Sequence, residues 1–262
     1  MLTYQEARTK FANCKDPEKG FKLSSGSRLL KSEESFVVRL YETNIVELSP
    51  DGEYRIDPGG WYTPYTRQEI EKFSPVRIRT DKGLWLIDGK ATTRPFTRAG
   101  GGYRFDEDAL DAAEALKINA TFTRETAKFR KNLCAEFSAD TLGTPGPGDC
   151  WICGVMRSSE LFKGTNTGQC GHLWAHIAER YHVPTLLYAA LIERHMGGWQ
   201  MKSVGATEDP ETRAQKDWSY SRGVKDPWMI NAALRRFFNR RRQAMVLSYP
   251  GKEAFERIRK EA

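Results

Sequence analysis

The chain has 262 residues, 39% of them hydrophobic and 29% charged, with a formal net charge of +7. That length buries one good core or two smaller ones, and with no run of about 18 apolar residues an α-helical membrane span is excluded. The N-terminal stretch "MLTYQEARTKFANCKDPEKG" has no apolar secretory region, and five cysteines without disulfide-framework spacing are expected to be reduced, metal-competent thiols in a cytoplasm.

From residue 21 to residue 105 the pattern is short, β-rich and broken by turns. "SFVVRLY" (35–41) and "NIVELS" (44–49) are rich in β-branched and aromatic residues, and Asp51-Gly52 supplies a hairpin turn into a further strand. "YTRQEIEKF" (65–73) reads as a short helix with Thr66 and Glu69 as its capping box. Residues 76–88 read as a second hairpin turning at Lys82-Gly83. The three glycines of "RAGGGYRFD" (98–106) suit a mobile loop rather than a strand interior.

After residue 105 the period becomes helical. "DEDALDAAEALKI" (106–118) and "TRETAKFRKNLCAEFSADTL" (123–142) predict two helices, the second burying Ala127, Leu133, Cys134 and Phe137 on one face. The acidic start of the first is the usual helix-dipole arrangement. Further helices are expected over 171–181, over 183–196 with Pro184 in its first turn, and over 227–247. The expected fold is therefore α+β: a β-rich N-terminal domain (1–105) of antiparallel sheet, then a helical domain (106–262) built round a metal.

The metal expectation comes from "PGPGDCWIC" (145–153). A Cys-x-x-Cys turn aims two sulfurs at one point, and all four histidines follow within the next 42 residues. His172 and His176 are four apart, hence on one helix face. Cys150, Cys153, His172 and His176 together have the composition of a structural zinc site. Cys170 is a competing ligand and His182 a weaker one.

A catalytic metal is not indicated. The zinc-protease helix needs His-Glu-x-x-His, whereas Leu173, Trp174 and Ala175 stand between these histidines. A zinc deaminase needs His-x-Glu ahead of its cysteines, and no histidine precedes Cys150. No phosphate-binding loop, nucleophile elbow or dinucleotide fingerprint occurs, so no catalytic residue is assigned. A zinc-knuckle nuclease would have only His182 or His195 as its general base.

Two segments carry a resemblance. Thr43, Ile45 and Val46, followed by Gly59, Gly60, Trp61, Thr63 and Thr66, form one. Cys150, Cys153, His172, His176, Glu179, Tyr181, Val183 and Pro184 form the other. Together they resemble a family of uncharacterised bacteriophage and mobile-element proteins. The resemblance implies phage origin, residence in the host cytoplasm and the Cys2His2 ligand set, and it brings no activity with it. By itself the glycine turn reads as a reversal anchored by Trp61; alternatively Trp61, Tyr62 and Tyr65 form a base-stacking platform beside Arg67.

Charge supplies the functional expectation. Residues 225–262 hold ten Lys or Arg against four acids, nearly the whole excess of the protein. In "ALRRFFNRRR", Leu234, Phe237 and Phe238 mark a buried stripe, and Arg235, Arg236, Arg240, Arg241 and Arg242 are expected to meet nucleic-acid phosphates. Changing Arg240, Arg241 and Arg242 together to Glu is then expected to abolish binding and leave the fold intact. The alternative is a phage effector whose basic helix docks on a host protein.

Overall fold

Thr3 starts the first element. Its hydroxyl accepts the Glu6 N–H at 3.2 Å while the Glu6 carboxylate takes the Thr3 N–H at 2.8 Å, and this reciprocal cap opens α1 (Tyr4–Ala12). No helix was expected here; the Thr-x-x-Glu spacing is the signal that marks it. The computed structural model describes residues 1–136, 150, 167–179, 183–196 and 227–261. The chain divides into two units, Met1–Leu116 and Lys117–Ala262.

In chain order the first unit continues with β1 (Phe21–Lys22), β2 (Ser27–Ser32), β3 (Ser35–Leu40), β4 (Thr43–Leu48) and β5 (Tyr54–Ile56). Then come α2 (Pro64–Phe73), β6 (Arg79–Asp81), β7 (Leu84–Leu86) and β8 (Lys90–Ala91), followed by β9 (Phe96–Ala99), β10 (Gly102–Arg104) and β11 (Leu110–Asp111). Seven strands form one antiparallel sheet in the order β1-β2-β3-β4-β5-β9-β10. The expected strands over 35–41 and 44–49 are β3 and β4, and the second hairpin is the separate pair β6–β7.

Alternation decides which face is buried. Leu29, Val38, Val46 and Ile56, register partners across β2 to β5, lie in a core completed by Ile70 and Phe73 of α2 and by Trp85. Glu69 of α2 is buried too, and it is satisfied: its carboxylate accepts the Ser27 hydroxyl and, at 3.3 Å, the Ser24 hydroxyl. Glu69 is thus a core anchor rather than a cap. The N-cap of α2 is Thr63, whose Oγ1 accepts the Thr66 N–H at 3.1 Å.

Two glycine positions are dictated by geometry. Gly100 and Gly101 have φ of 52° and 89° and form the turn between β9 and β10, as a primed hairpin turn requires. The third glycine, Gly102, pairs with Ala99 in the ladder. The glycine run is therefore a hairpin, correcting the loop expected over it. At Gly59, φ is 57° and a Cβ would stand 2.5 Å from Thr43 Cγ2. The Thr43 methyl occupies the space that the missing side chain leaves. Gly59→Ala should cost roughly 1–3 kcal/mol, read as a lowered thermal midpoint; an unchanged midpoint would refute the contact.

The expected helix over 106–118 begins later than its acidic residues. Asp106 and Asp108 lie 4.0 and 3.4 Å from Arg94 Nε, and β11 pairs with β8 before α3 (Ala112–Glu136) starts. The two helices expected over 106–142 are one through residue 136, because Phe122 is buried at the supposed break. The buried face of α3 is Phe122, Thr126, Phe129 and Leu133. Ala127, expected on that face, is exposed, and Phe137 lies outside the described residues.

Beyond α3 the described elements are α4 (Thr167–Glu179), α5 (Val183–Met196), α6 (Pro227–Leu247) and α7 (Lys252–Glu261). Trp174 of α4 is the centre of this core. It is 1% exposed, donates Nε1–H to the Met245 carbonyl at 2.8 Å, and meets the rings of Phe122, Tyr249 and Phe255 edge-on. The architecture is α+β, an N-terminal antiparallel sheet followed by helices.

Candidate metal centre and the arginines of helix α6

Helix α4 brings His172 and His176 to one side, their rings 5.2 Å apart and nearly perpendicular. His176 is 3% exposed and His172 half-buried. Cys150, reaching this helix from 22 positions before His172, completes a group whose ligating atoms all lie within 4.8 Å of one another. Tetrahedral zinc at ordinary Zn–N and Zn–S lengths would hold such atoms about 3.3–3.6 Å apart, so a movement of about 1 Å closes the group on an ion.

The donor set is chemically selective. One thiol and two imidazoles suit zinc and other borderline metals, whereas calcium and magnesium take oxygen ligands. Among the described residues no carboxylate joins the group. Three of its atoms leave room for one more ligand. Cys153, the expected fourth, and His182 lie outside the described residues, and the side chain of His195 on α5 does too.

Cys170 is placed. It is 1% exposed and stands outside the metal-competent group. Burial is the main reason its thiol is pushed up to about 11, with Arg241 lowering it and Glu193 raising it. A thiol held protonated in a dry core is a poor metal ligand.

The arginines of α6 divide sharply. Leu234, Phe237 and Phe238 are buried as expected. Arg241, however, is buried with them at 3% exposure. Its Nη1 donates to Glu193 Oε2 at 2.5 Å and to the Phe237 carbonyl at 3.1 Å, and its guanidinium lies 3.7 Å from the Phe237 ring centroid. Arg240 donates to the other Glu193 oxygen at 3.2 Å. Arg241 therefore cannot be a phosphate contact: the anion that compensates it is internal. Changing Arg240, Arg241 and Arg242 together to Glu would press carboxylates against Glu193 in a dry core, so the expectation that this variant keeps its fold is withdrawn.

Arg242 donates to Asn119 Oδ1 at 2.8 Å, to Thr123 Oγ1 at 3.1 Å and to Asn239 Oδ1 at 2.9 Å. Arg235 and Arg236 are exposed. The other buried acid of this unit among the described residues, Glu125, is also spoken for. Burial alone would raise its carboxyl, but hydrogen bonds from Arg124 at 2.9 Å and Arg259 at 2.6 Å hold it below the usual carboxylate range.

The aromatic residues of the first unit do not line up as one platform. Tyr62 meets Trp85 edge-on at 5.2 Å, Trp61 is half-buried in the turn, and Tyr65 sits 6.3 Å from exposed Tyr41. Arg67 is engaged by Thr80 at 2.9 Å and Glu71 at 3.9 Å.

Four residues that matter here were not singled out by sequence: Glu193, Glu125, Arg130 and Trp228. For the first two the signal is only a carboxylate in an otherwise apolar helix face. For Trp228 it is a large aromatic ring about two turns before a row of arginines. Among the described residues no helix is long and apolar enough to cross a membrane. No protein-family model, curated protein or solved structure matches the chain.

Proposed function

We propose that the protein binds nucleic acid through its helical unit, and that a zinc ion held by Cys150, Cys153, His172 and His176 keeps that unit folded. The carrying observation is the asymmetry of α6. Over Pro227–Leu247 it has five arginines and no acidic residue, and two of those arginines, Arg235 and Arg236, face solvent. Exposed arginine on a helix that carries no carboxylate of its own is the chemistry that recognises phosphate.

The metal reading is supported by the Cys150, His172 and His176 group, with the Cys-x-x-Cys spacing supplying the fourth ligand. On this reading the ion is structural, because four protein ligands leave no open position for substrate. Phage origin, with the host cytoplasm as the working compartment, stays part of the proposal on the two resembling motifs.

Binding of a labelled oligonucleotide at about 50 and 200 mM salt tests the reading. Affinity should fall steeply, with a log–log slope of roughly −0.7 to −0.9 per phosphate contact. A protein that binds neither DNA nor RNA at the lower salt would sink it. A second reading, docking on a host protein, is favoured by Trp228, which is 62% exposed with the Arg194 guanidinium 5.5 Å from its ring centroid. Exposed Trp and Arg are the residues that anchor protein interfaces. A pull-down whose partner survives nuclease treatment would select it.

A further inference from the structure

Helices α3 and α6 run antiparallel along a shared seam. Phe129 meets Phe238 edge-on at 6.0 Å across it, Arg130 Nη1 donates to Asn231 Oδ1 at 2.7 Å, and Cys134 Sγ approaches the Pro227 carbonyl at 3.4 Å. On α6, Trp228, Asn231, Arg235 and Asn239 recur at three- and four-residue steps and so share one face. All four are exposed or partly so at the surface edge of the seam: Asn231, Arg235 and Asn239 are exposed and Trp228 is 62% exposed. From Trp228 to Asn239 this row is about 16 Å long at the helical rise.

The charges in this seam are handled differently from the rest of the unit. Arg240 and Arg241 share Glu193, and Arg124 and Arg259 share Glu125. Arg130 is instead held by neutral groups, the Asn231 amide and the Thr126 carbonyl at 3.3 Å. Arg235 makes no ion pair among the described residues, and exposed Lys128 and Lys131 add charge from α3. An amide fixes the direction of a guanidinium without neutralising it. Arg130 is close enough to Arg235 that, after burial, the Arg235 charge is the next cause lowering its proton affinity. Two oriented, mutually repelling guanidinium groups are each relieved by a phosphate brought beside them.

Resting on the nucleic-acid reading, we infer that the α3–α6 seam binds single-stranded nucleic acid, with successive phosphates on Arg130 and Arg235 and a base stacked on Trp228. The exposed indole, with the Arg194 guanidinium 5.5 Å from its ring centroid and Arg235 further along the same helix face, is the arrangement that suits unpaired bases, since a duplex keeps its base faces inside. Contacts of this kind read the phosphate backbone and a base face rather than base edges, so binding is sequence-tolerant. DNA and RNA strands offer the same chemistry and are separated by experiment.

The test is fluorescence anisotropy of the full chain with labelled mixed-sequence strands of about 15 nucleotides, DNA and RNA, and with the matching duplex. Arg130→Gln/Arg235→Gln should weaken single-strand binding at least tenfold and flatten its salt slope by about 1.4, two contacts at roughly 0.7 each. Trp228→Ala should weaken it about tenfold and change duplex binding little. Lys252→Gln/Arg257→Gln removes the same charge from exposed positions on α7 and should leave affinity within about twofold. Arg235→Gln alone, at an exposed site, gives the same direction if the double variant melts early. Equal losses from the seam and α7 variants, or a wild-type preference for duplex, overturn this inference while leaving the broader reading standing. Wild-type protein that binds no strand at about 50 mM salt overturns both.

Discussion

Glu193→Ala will destabilise the helical unit by about 3–5 kcal/mol, the cost of leaving a buried guanidinium without its anion. Glu193 is 1% exposed and serves Arg241 from inside the core and Arg240 from its edge. The substitution strands Arg241 against the Phe237 ring with a single remaining bond to the Phe237 carbonyl among its described contacts. Its thermal midpoint should fall on the order of 10 °C, followed by helical circular dichroism. The companion variant carries Glu193→Leu and Arg241→Met together. Replacing both charges with apolar groups of similar size removes the desolvation penalty along with the attraction, so the double variant should recover most of the loss. A single variant that melts within a degree of wild type would show that the pair is solvated and the unit differently packed.

The second large effect is removal of the metal. One zinc per chain is expected in protein purified without chelator, and its loss should unfold α4 and the elements it holds. Binding free energies of structural zinc, roughly 10–16 kcal/mol in small peptides, rival the whole stability of an ordinary domain at about 5–15 kcal/mol. Here the ion would tie Cys150 to His172 and His176 across more than twenty positions of chain. Cys150→Ser and His176→Ala should each abolish stoichiometric zinc and lower the melting temperature as far as chelation does. Cys170→Ser should leave zinc content unchanged, since that thiol is buried away from the group. Elemental analysis that finds no metal would end this reading and leave the histidines as ordinary helix-packing residues.

What sequence made legible follows from range. The strands over 35–41 and 44–49, the Asp51-Gly52 turn and the helix over 227–247 are written in periodicities a few residues long, and each is where expected. The His172 and His176 pairing is likewise local, fixed by one helical turn. Errors arose where a local pattern had two solutions. Thr66 and Glu69 satisfy the capping-box spacing, but Thr63 stands one turn earlier ahead of Pro64 and takes the cap, which releases Glu69 to bind serines more than forty positions away. The arginines of α6 failed for a different reason. Five cations in eight residues look alike on paper, and only the position of Glu193, 48 residues upstream of Arg241, separates the buried one from the exposed. A helical wheel gives the angle of each residue and is silent about which neighbour brings a carboxylate to meet it.

Trp174 gives the metal centre an optical reporter. Its indole lies two positions from each histidine on the same helix, and it is sealed among Phe122, Tyr249 and Phe255 with its N–H committed to the Met245 carbonyl. An indole in such surroundings emits at short wavelength and is shielded from aqueous quenchers. If an ion held there leaves and α4 loosens, that ring passes from a dry core into water. The red shift lost in Trp174→Phe, measured as a difference spectrum against the other six tryptophans, would then time the opening of the site within a single mixing experiment.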